Sequence, residues 1–199
     1  MRVLALADEA DKRLWDHLDR SLLEGVDLIL SAGDLPADYL SFLTCFTHAP
    51  IYYIHGNHDV RYEKKPPEGC ICIEDTIVKI GGVRILGLGG SMRYKPGDCM
   101  YSEKEMQKRI RKLWFKLFVN RGFDILLTHA PAFGLGDEEN LPHRGFRCFL
   151  KLMDKYTPKF LIHGHVHKEY TAFFEREHTY NRTRVINANG RVFFEIDPV

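Results

Sequence analysis

Nine consecutive residues, Ile51-Tyr52-Tyr53-Ile54-His55-Gly56-Asn57-His58-Asp59, pass abruptly from strand formers to groups that bind protons or metals. Asn57 offers a neutral oxygen and His58 a proton near neutral pH. Taken alone, the Asn-His pair reads as an Asx-type turn with a stray histidine. The same arrangement recurs, however. Val3-Leu4-Ala5-Leu6-Ala7 runs into Asp8, Asp27-Leu28-Ile29-Leu30-Ser31 runs to Gly33-Asp34, Ile125-Leu126-Leu127-Thr128 runs into His129, and Phe160-Leu161-Ile162 precedes His163-Gly164-His165-Val166-His167. Asp8, Asp34, Asn57, His129, His165 and His167 thus all follow apolar runs, which is hard to credit as independent coincidence. Mixed oxygen and imidazole donors suit manganese, iron or zinc better than calcium or a thiolate-bound zinc.

The elements that position these groups follow from periodicity. Asp8 and Asp34 are 26 residues apart and Asp34 and Asn57 are 23 apart, each about one strand-helix unit, so successive parallel strands would deliver them to one carboxyl edge. Leu14, Leu18, Leu22 and Leu23 predict a helix between Asp11 and Leu23. Pro36 begins a second helix carrying Leu40, Leu43 and Phe46. Beyond Pro66-Pro67 the pattern changes to short strands, Cys70–Ile73, Thr76–Ile80 and Val83–Leu88, the last two joined through Gly81-Gly82 as a hairpin that gives the sheet antiparallel members. Ser102 and Glu105 form a capping box for a helix reaching Val119, with Lys104, Lys108, Arg109, Arg111 and Lys112 on one side and Met106, Ile110, Leu113, Leu117 and Phe118 on the other. Such a basic run reads as a solvated face. A long Gly- and Pro-containing loop from Ala130 to Arg144 borders the site, and a helix from Phe146 to Tyr156 ends before Pro158. Three strands close the chain, Tyr170–Glu175, Arg184–Asn187 and Val192–Ile196, with Asn189-Gly190 predicting a tight hairpin before the last.

Composition sets the boundaries. With 199 residues, 45% apolar and 28% charged, the expectation is one globular domain over 1–199. A net charge of +1 supplies no broad field for a nucleic-acid backbone, so no strong nucleic-acid signature is present and phosphate binding must be local. Five scattered cysteines without a Cys-x-x-Cys pair suggest reduced thiols. Asp8-Glu9 interrupts the opening apolar run before it makes a secretory segment, and no stretch approaches about 20 apolar residues. A cytoplasmic protein without a membrane partner is therefore expected; the sequence does not speak to its oligomeric state.

In order along the chain, Asp8-Glu9-Ala10, Gly33-Asp34, Gly56-Asn57-His58-Asp59, Thr128-His129-Ala130 and Gly164-His165-Val166-His167 resemble the five blocks of the calcineurin-like metallophosphoesterases, and the resemblance extends from residue 3 to about 190. It implies an α/β fold, a four-layer αββα sandwich of two mixed sheets flanked by helices, with the metal site at the strand carboxyl ends. It implies two divalent ions, manganese, iron or zinc, bridged by Asp34, one also held by Asp8 and His167 and the other by Asn57, His129 and His165. His58 would face the leaving group. One block departs from the family: Ala10 stands where the first ion would receive a histidine, which leaves that ion weak. Glu9 does not replace it if the segment is extended, since successive side chains then point to opposite sides, whereas residue 10 would share the side of Asp8.

The expected function is hydrolysis of small-molecule or nucleotide phosphodiesters by a hydroxide bridging two metal ions. His58 would protonate the departing oxygen, Asp59 would orient it or cap a turn, and Arg144, ahead of Arg61 and Arg93, would meet the phosphoryl oxygens. Two alternatives stand beside this: a phosphomonoesterase of the same fold, and a non-catalytic metal-binding interaction module with a degenerate first site.

Overall fold

The structure is a computed structural model that describes residues 1–167 and 175–197. Its strands are β1 (Arg2–Ala7), β2 (Leu28–Ser31), β3 (Ile51–Tyr53), β4 (Ile71–Cys72), β5 (Thr76–Ile80), β6 (Val83–Leu88), β7 (Ser91–Met92), β8 (Met100–Tyr101), β9 (Ile125–Thr128), β10 (Phe160–His163), β11 (Glu177–Tyr180), β12 (Thr183–Asn187) and β13 (Gly190–Glu195). The α-helices are α1 (Ala37–Thr44), α2 (Glu103–Lys112), α3 (Trp114–Val119) and α4 (Arg147–Tyr156). One sheet has the order β13-β1-β2-β3-β4 and a second the order β11-β12-β10-β9-β6-β5, while β7 and β8 pair separately.

Alternation along the strands builds the layers. Val3, Ala5 and Ala7 of β1 point the same way as Leu28 and Leu30 of β2 and pack with Ile85, Leu127 and Ile162 of the other sheet. Leu4, Leu6 and Ile29 point the opposite way, onto Tyr39, Leu40 and Leu43 of α1. On the far side of the second sheet, Leu86, Leu126 and Leu161 receive Met106, Leu117, Phe149 and Leu152 from α2, α3 and α4. Both faces of both sheets are covered, which explains the uninterrupted apolar runs of β1 and β2 and makes the fold a four-layer sandwich of two mixed sheets.

Several elements differ from the sequence expectation. The segment Asp11–Leu23 forms two 3-10 turns, Lys12–Leu14 and Arg20–Leu23, instead of one helix. Asp11 and Asp19 accept the amides of Arg13 and Ser21 with their side chains, so each restarts the backbone hydrogen bonding locally and competes with a continuous helix. The helix after Ser102 has its capping box but breaks at Leu113 (φ −84°, ψ 1°) into α2 and α3. Gly81 and Gly82, both at positive φ, do turn β5 back onto β6. That hairpin belongs to the second sheet; the antiparallel member of the first is β13 on β1. Asn189-Gly190 makes no hairpin, because β12 lies in one sheet and β13 in the other; Gly190 (φ 72°) lets the chain cross between them. The hairpin of the tail instead joins β11 and β12, with Tyr180 opposite Thr183. Of the expected strand Tyr170–Glu175, residues 170–174 lie outside the described residues. No helix among the described residues is long and apolar enough to cross a membrane.

Candidate metal centre

Parallel pairing of β1, β2 and β3 brings Asp8, Asp34 and Asn57 to one edge, and parallel pairing of β9 with β10 does the same for His129 and His165. Asp8, Asp34 and His165 all adopt left-handed backbone conformations (φ 64°, 58° and 70°), uncommon outside glycine and costing on the order of 1 kcal/mol each. Three such residues in one place signal that the surrounding structure holds the side chains where local preference would not. At Asp8 the Glu9 amide turns back to the Ala7 carbonyl at 2.6 Å, a three-residue turn. Gly56 is dictated by close approach, since a Cβ there would run into the Asp34 carboxylate.

Asp34 sits at the centre. Its Oδ1 accepts the His58 backbone amide at 2.7 Å and its Oδ2 lies 3.2 Å from His129 Nε2. The Asn57 side-chain carbonyl oxygen lies 3.0 Å from the same nitrogen. His129 is buried and donates Nδ1–H to the Ala32 carbonyl at 2.8 Å, which turns Nε2 towards Asp34 and Asn57. His165 is tethered through its Nε2, 2.8 Å from the Pro142 carbonyl, and its ring centre is 4.8 Å from that of His129. Asp34, His129 and His165 place one donor atom each within 4.8 Å of one another.

The protonation of this cluster follows from its crowding. Burial alone would raise Asp34, but the His129 ring and the His58 amide outweigh it and hold the carboxyl down at about 2. Burial opposes a charge on His129, yet Asp34 and, further off, Asp8 lift it to about 9. Burial and the neighbouring His129 push His165 down to about 3. Carboxylates crowded together with imidazoles concentrate lone pairs where a cation fits, and the donor set of one carboxylate, one amide oxygen and two imidazoles suits a borderline divalent ion. The residues present therefore fit a metal.

On the other flank of Asp34 the construction is sparser. Both carboxylate oxygens of Asp8 accept the His165 amide at 3.0 Å, and His167 Nε2 stands 3.6 Å from Asp8 Oδ1. The Asp8 side chain has no exposure, while that of His167 keeps 27%. Hydrogen bonding to Asp8 raises the His167 pKa. Ala10 packs against the apolar cluster beneath β1 that contains Leu14 and Tyr39. Because the chain turns at Asp8, side chains do not alternate from Asp8 to Ala10 as they would on an extended segment, and residue 10 is not set on the side of Asp8 by alternation.

Asp8, Asp34, Asn57, His58, His165 and His167 line one cavity of about 180 Å³, with His129 buried behind them. His58 is exposed at its wall. Asp59 is buried beneath it and accepts the amides of Asp34 (2.7 Å) and Gly56 (2.8 Å) with one oxygen. Those bonds tie the β2 and β3 loops together, so Asp59 holds the backbone of Asp34, and among the described residues no hydrogen bond joins it to the His58 ring. Arg144 is not brought in: it lines a neighbouring cavity with Phe133 and Arg147, and its guanidinium donates to the Glu139 carbonyl at 2.9 Å. Arg93 pairs with Glu105 at 3.1 Å.

Three groups that sequence reasoning missed stand nearby. Tyr94 and His143 line the cavity, and the His143 ring centre is 5.3 Å from that of His165. The Ala130–Arg144 loop signalled a border to the site, but nothing in it distinguished His143 from its neighbour Arg144. Glu74, from the segment joining β4 to β5, accepts the amides of His55 (3.1 Å) and Gly89 (2.7 Å), bonds His55 Nδ1 at 3.2 Å and pairs with Arg109. It braces the strand end that carries Asn57, a role that no local sequence signal announces.

A model of the family described as calcineurin-like phosphoesterase matches residues 1–169. A protein of Haemophilus influenzae with no described activity is 27% identical over a 217-residue alignment covering 86% of this chain and 85% of its own length. A UPF0046 protein of Caenorhabditis elegans is 21% identical, over 83% of this chain and 65% of its own. The crystal structure of TT1561 of Thermus thermophilus shares the fold, with a TM-score of 0.66 at 17% identity over 94% of this chain and 88% of that one.

Proposed function

This chain belongs to the calcineurin-like phosphoesterase family, which implies metal-dependent hydrolysis of phosphoesters, and from that premise we propose that it cleaves phosphodiesters of small molecules or nucleotides. The observation that carries the reading is the Asp34 carboxylate, held in a left-handed backbone between two sets of donors: Asn57, His129 and His165 on one flank, Asp8 and His167 on the other. Two divalent ions of the manganese, iron or zinc type would be held there, with Asp34 between them. When bound, they supply Lewis-acid charge for the phosphoryl oxygens and lower the pKa of water towards neutrality.

The protein's own side chains do the rest. His58 stands on the cavity wall, where its imidazole can protonate a departing oxygen, while its backbone amide keeps Asp34 in place. Asp59 acts only through the backbone it clamps and is a positioning residue. His143 and Tyr94 replace Arg144 as the groups beside an incoming phosphoryl group, since they line the cavity and Arg144 does not. The cavity is small, about 180 Å³, which supports a compact phosphoester and leaves a second ester arm in solvent. A cavity of that size admits the phosphoryl group of a diester as readily as that of a monoester.

Turnover of a generic aryl phosphodiester with added manganese, compared with His58→Ala and with an aryl monoester, tests the reading. Activity on the diester that collapses in the variant supports it; faster turnover of the monoester would make the protein a phosphomonoesterase. The presence of Ala10 favours a second reading, a metal-binding interaction module without catalysis, and metal uptake with no turnover of either ester would establish that instead.

A further inference from the structure

The outer face of α2 and α3 changes character along its length. Lys104, Lys108, Arg111 and Lys112 recur at intervals that keep them on one side of α2, and all are exposed. None of the four forms an ion pair among the described residues. Beyond the break at Leu113 the exposed face becomes aromatic: Trp114 is 67% exposed, Phe118 is 75% exposed, and Phe115 and Val119 are open as well. The apolar spacing predicts Phe118 on the buried side, but only Leu113 and Leu117 of this stretch go inward. Large aromatics standing together in water are costly unless something covers them.

The charges around the patch restrict what covers it. Between Glu105 and Asp124 the chain has no acidic residue. Arg111, Lys151 and Lys155 also rim a shallow apolar groove shared by Trp114, Leu117 and Leu152. A second copy of this chain docking through the same face would set Lys108, Arg111 and Lys112 near their own equivalents, which repel. A surface that is apolar at depth and negative above complements the face, with aromatic rings entering the acyl boundary and lysines and arginines meeting phosphate headgroups. We propose that the α2–α3 face is a peripheral docking surface for a bilayer rich in anionic phospholipid.

The orientation is compatible with activity. The last turn of α3 lies at the opening ends of β6 and β9, where Arg84 donates to the carbonyls of Asn120 (2.9 Å) and Arg121 (3.0 Å). The metal cavity sits past the closing ends of the strands, so docking leaves it accessible from the water phase. Lys116 donates to the Asp75 carbonyl and to the Thr76 hydroxyl, both at 3.0 Å, which fastens α3 to the sheet while its aromatics face outward. Docking adds a peripheral membrane surface to a chain whose sequence predicts no membrane partner.

Sedimentation of the full chain with phosphatidylcholine vesicles, with and without phosphatidylglycerol, tests this. Binding should require the anionic lipid and weaken as salt rises. Lys108→Glu combined with Arg111→Glu, and separately Trp114→Ser combined with Phe118→Ser, should each lower the partition at least about tenfold while leaving the melting temperature unchanged, since all four side chains are exposed. Equal binding by either variant, no binding to anionic vesicles, retention by polyglutamate in place of vesicles, or a dimer that Phe118→Ser dissociates would each overturn the proposal.

Discussion

On the Asn57 side of Asp34 every donor is buried and both imidazoles are held by backbone carbonyls; on the Asp8 side the donors are fewer and His167 is partly exposed. His129 is oriented by the Ala32 carbonyl, His165 by the Pro142 carbonyl, and the strand end carrying Asn57 by Glu74. The Asp8 side has one well-held carboxylate, one looser imidazole and Ala10 turned into the apolar layer. A metal site is stronger when its ligands need no rearrangement on binding and when supporting hydrogen bonds orient them. Similar residue types at two ends of one cavity should therefore bind ions with different strength, and supporting contacts, more than the ligands, make the difference.

The most severe break removes what both halves share. Asp34→Asn keeps a residue that tolerates the left-handed backbone but withdraws the charge, and metal-dependent turnover should fall on the order of 10³-fold or more. Added manganese should then raise the melting temperature far less than it does for the natural chain, measured by calorimetric melting. His58→Ala comes next, with a loss of roughly 10²–10⁴-fold that shrinks for substrates with good leaving groups. Its metal content by elemental analysis should match the natural protein; a loss of metal would mean that His58 is itself a ligand.

A pair of variants sharpens the contrast between the halves. His129→Ala should eliminate the tight ion and also destabilise the chain, because it opens a void in a fully buried position. His167→Ala should weaken only the second, looser ion and leave the metal-free melting temperature nearly unchanged.

The mildest test acts through Glu74. Neighbouring His55 and Arg109 hold its carboxyl at about 2 despite burial that pushes the other way, against 4.5 for a free glutamate. A depressed carboxylate adds stability that is complete above about pH 4.5 and is lost as the pH falls towards about 2, at most about 3 kcal/mol. Glu74→Gln should lower the melting temperature at pH 7 and flatten the acid limb of the stability curve over that window. Thermal melts across pH would check it.

That Asp8, Asp34, Asn57, His129, His165 and His167 would meet was legible in the sequence because each follows an apolar strand, and strand ends at one sheet edge fix where side chains collect. The layers were legible for a related reason: runs such as Val3–Ala7 are apolar at every position only when both faces are covered. What escaped depends on local competition and tertiary contact. The leucines from Leu14 to Leu23 keep a helical spacing, yet spacing alone could not reveal that Asp11 and Asp19 would cap two separate turns. Asn189-Gly190 carries the usual hairpin signal yet serves a crossing between sheets, because β1 offers β13 a free edge. Arg144 and His143 are adjacent in sequence, and only the path of their loop decides which one lines the cavity.

Titration of manganese into the metal-free natural chain by calorimetry tests the unequal construction most directly. The account predicts two binding events, one tight and abolished by His129→Ala, the other weaker and removed by His167→Ala. Two ions bound with equal affinity to the natural chain, or a tight ion that persists in His129→Ala, would contradict it.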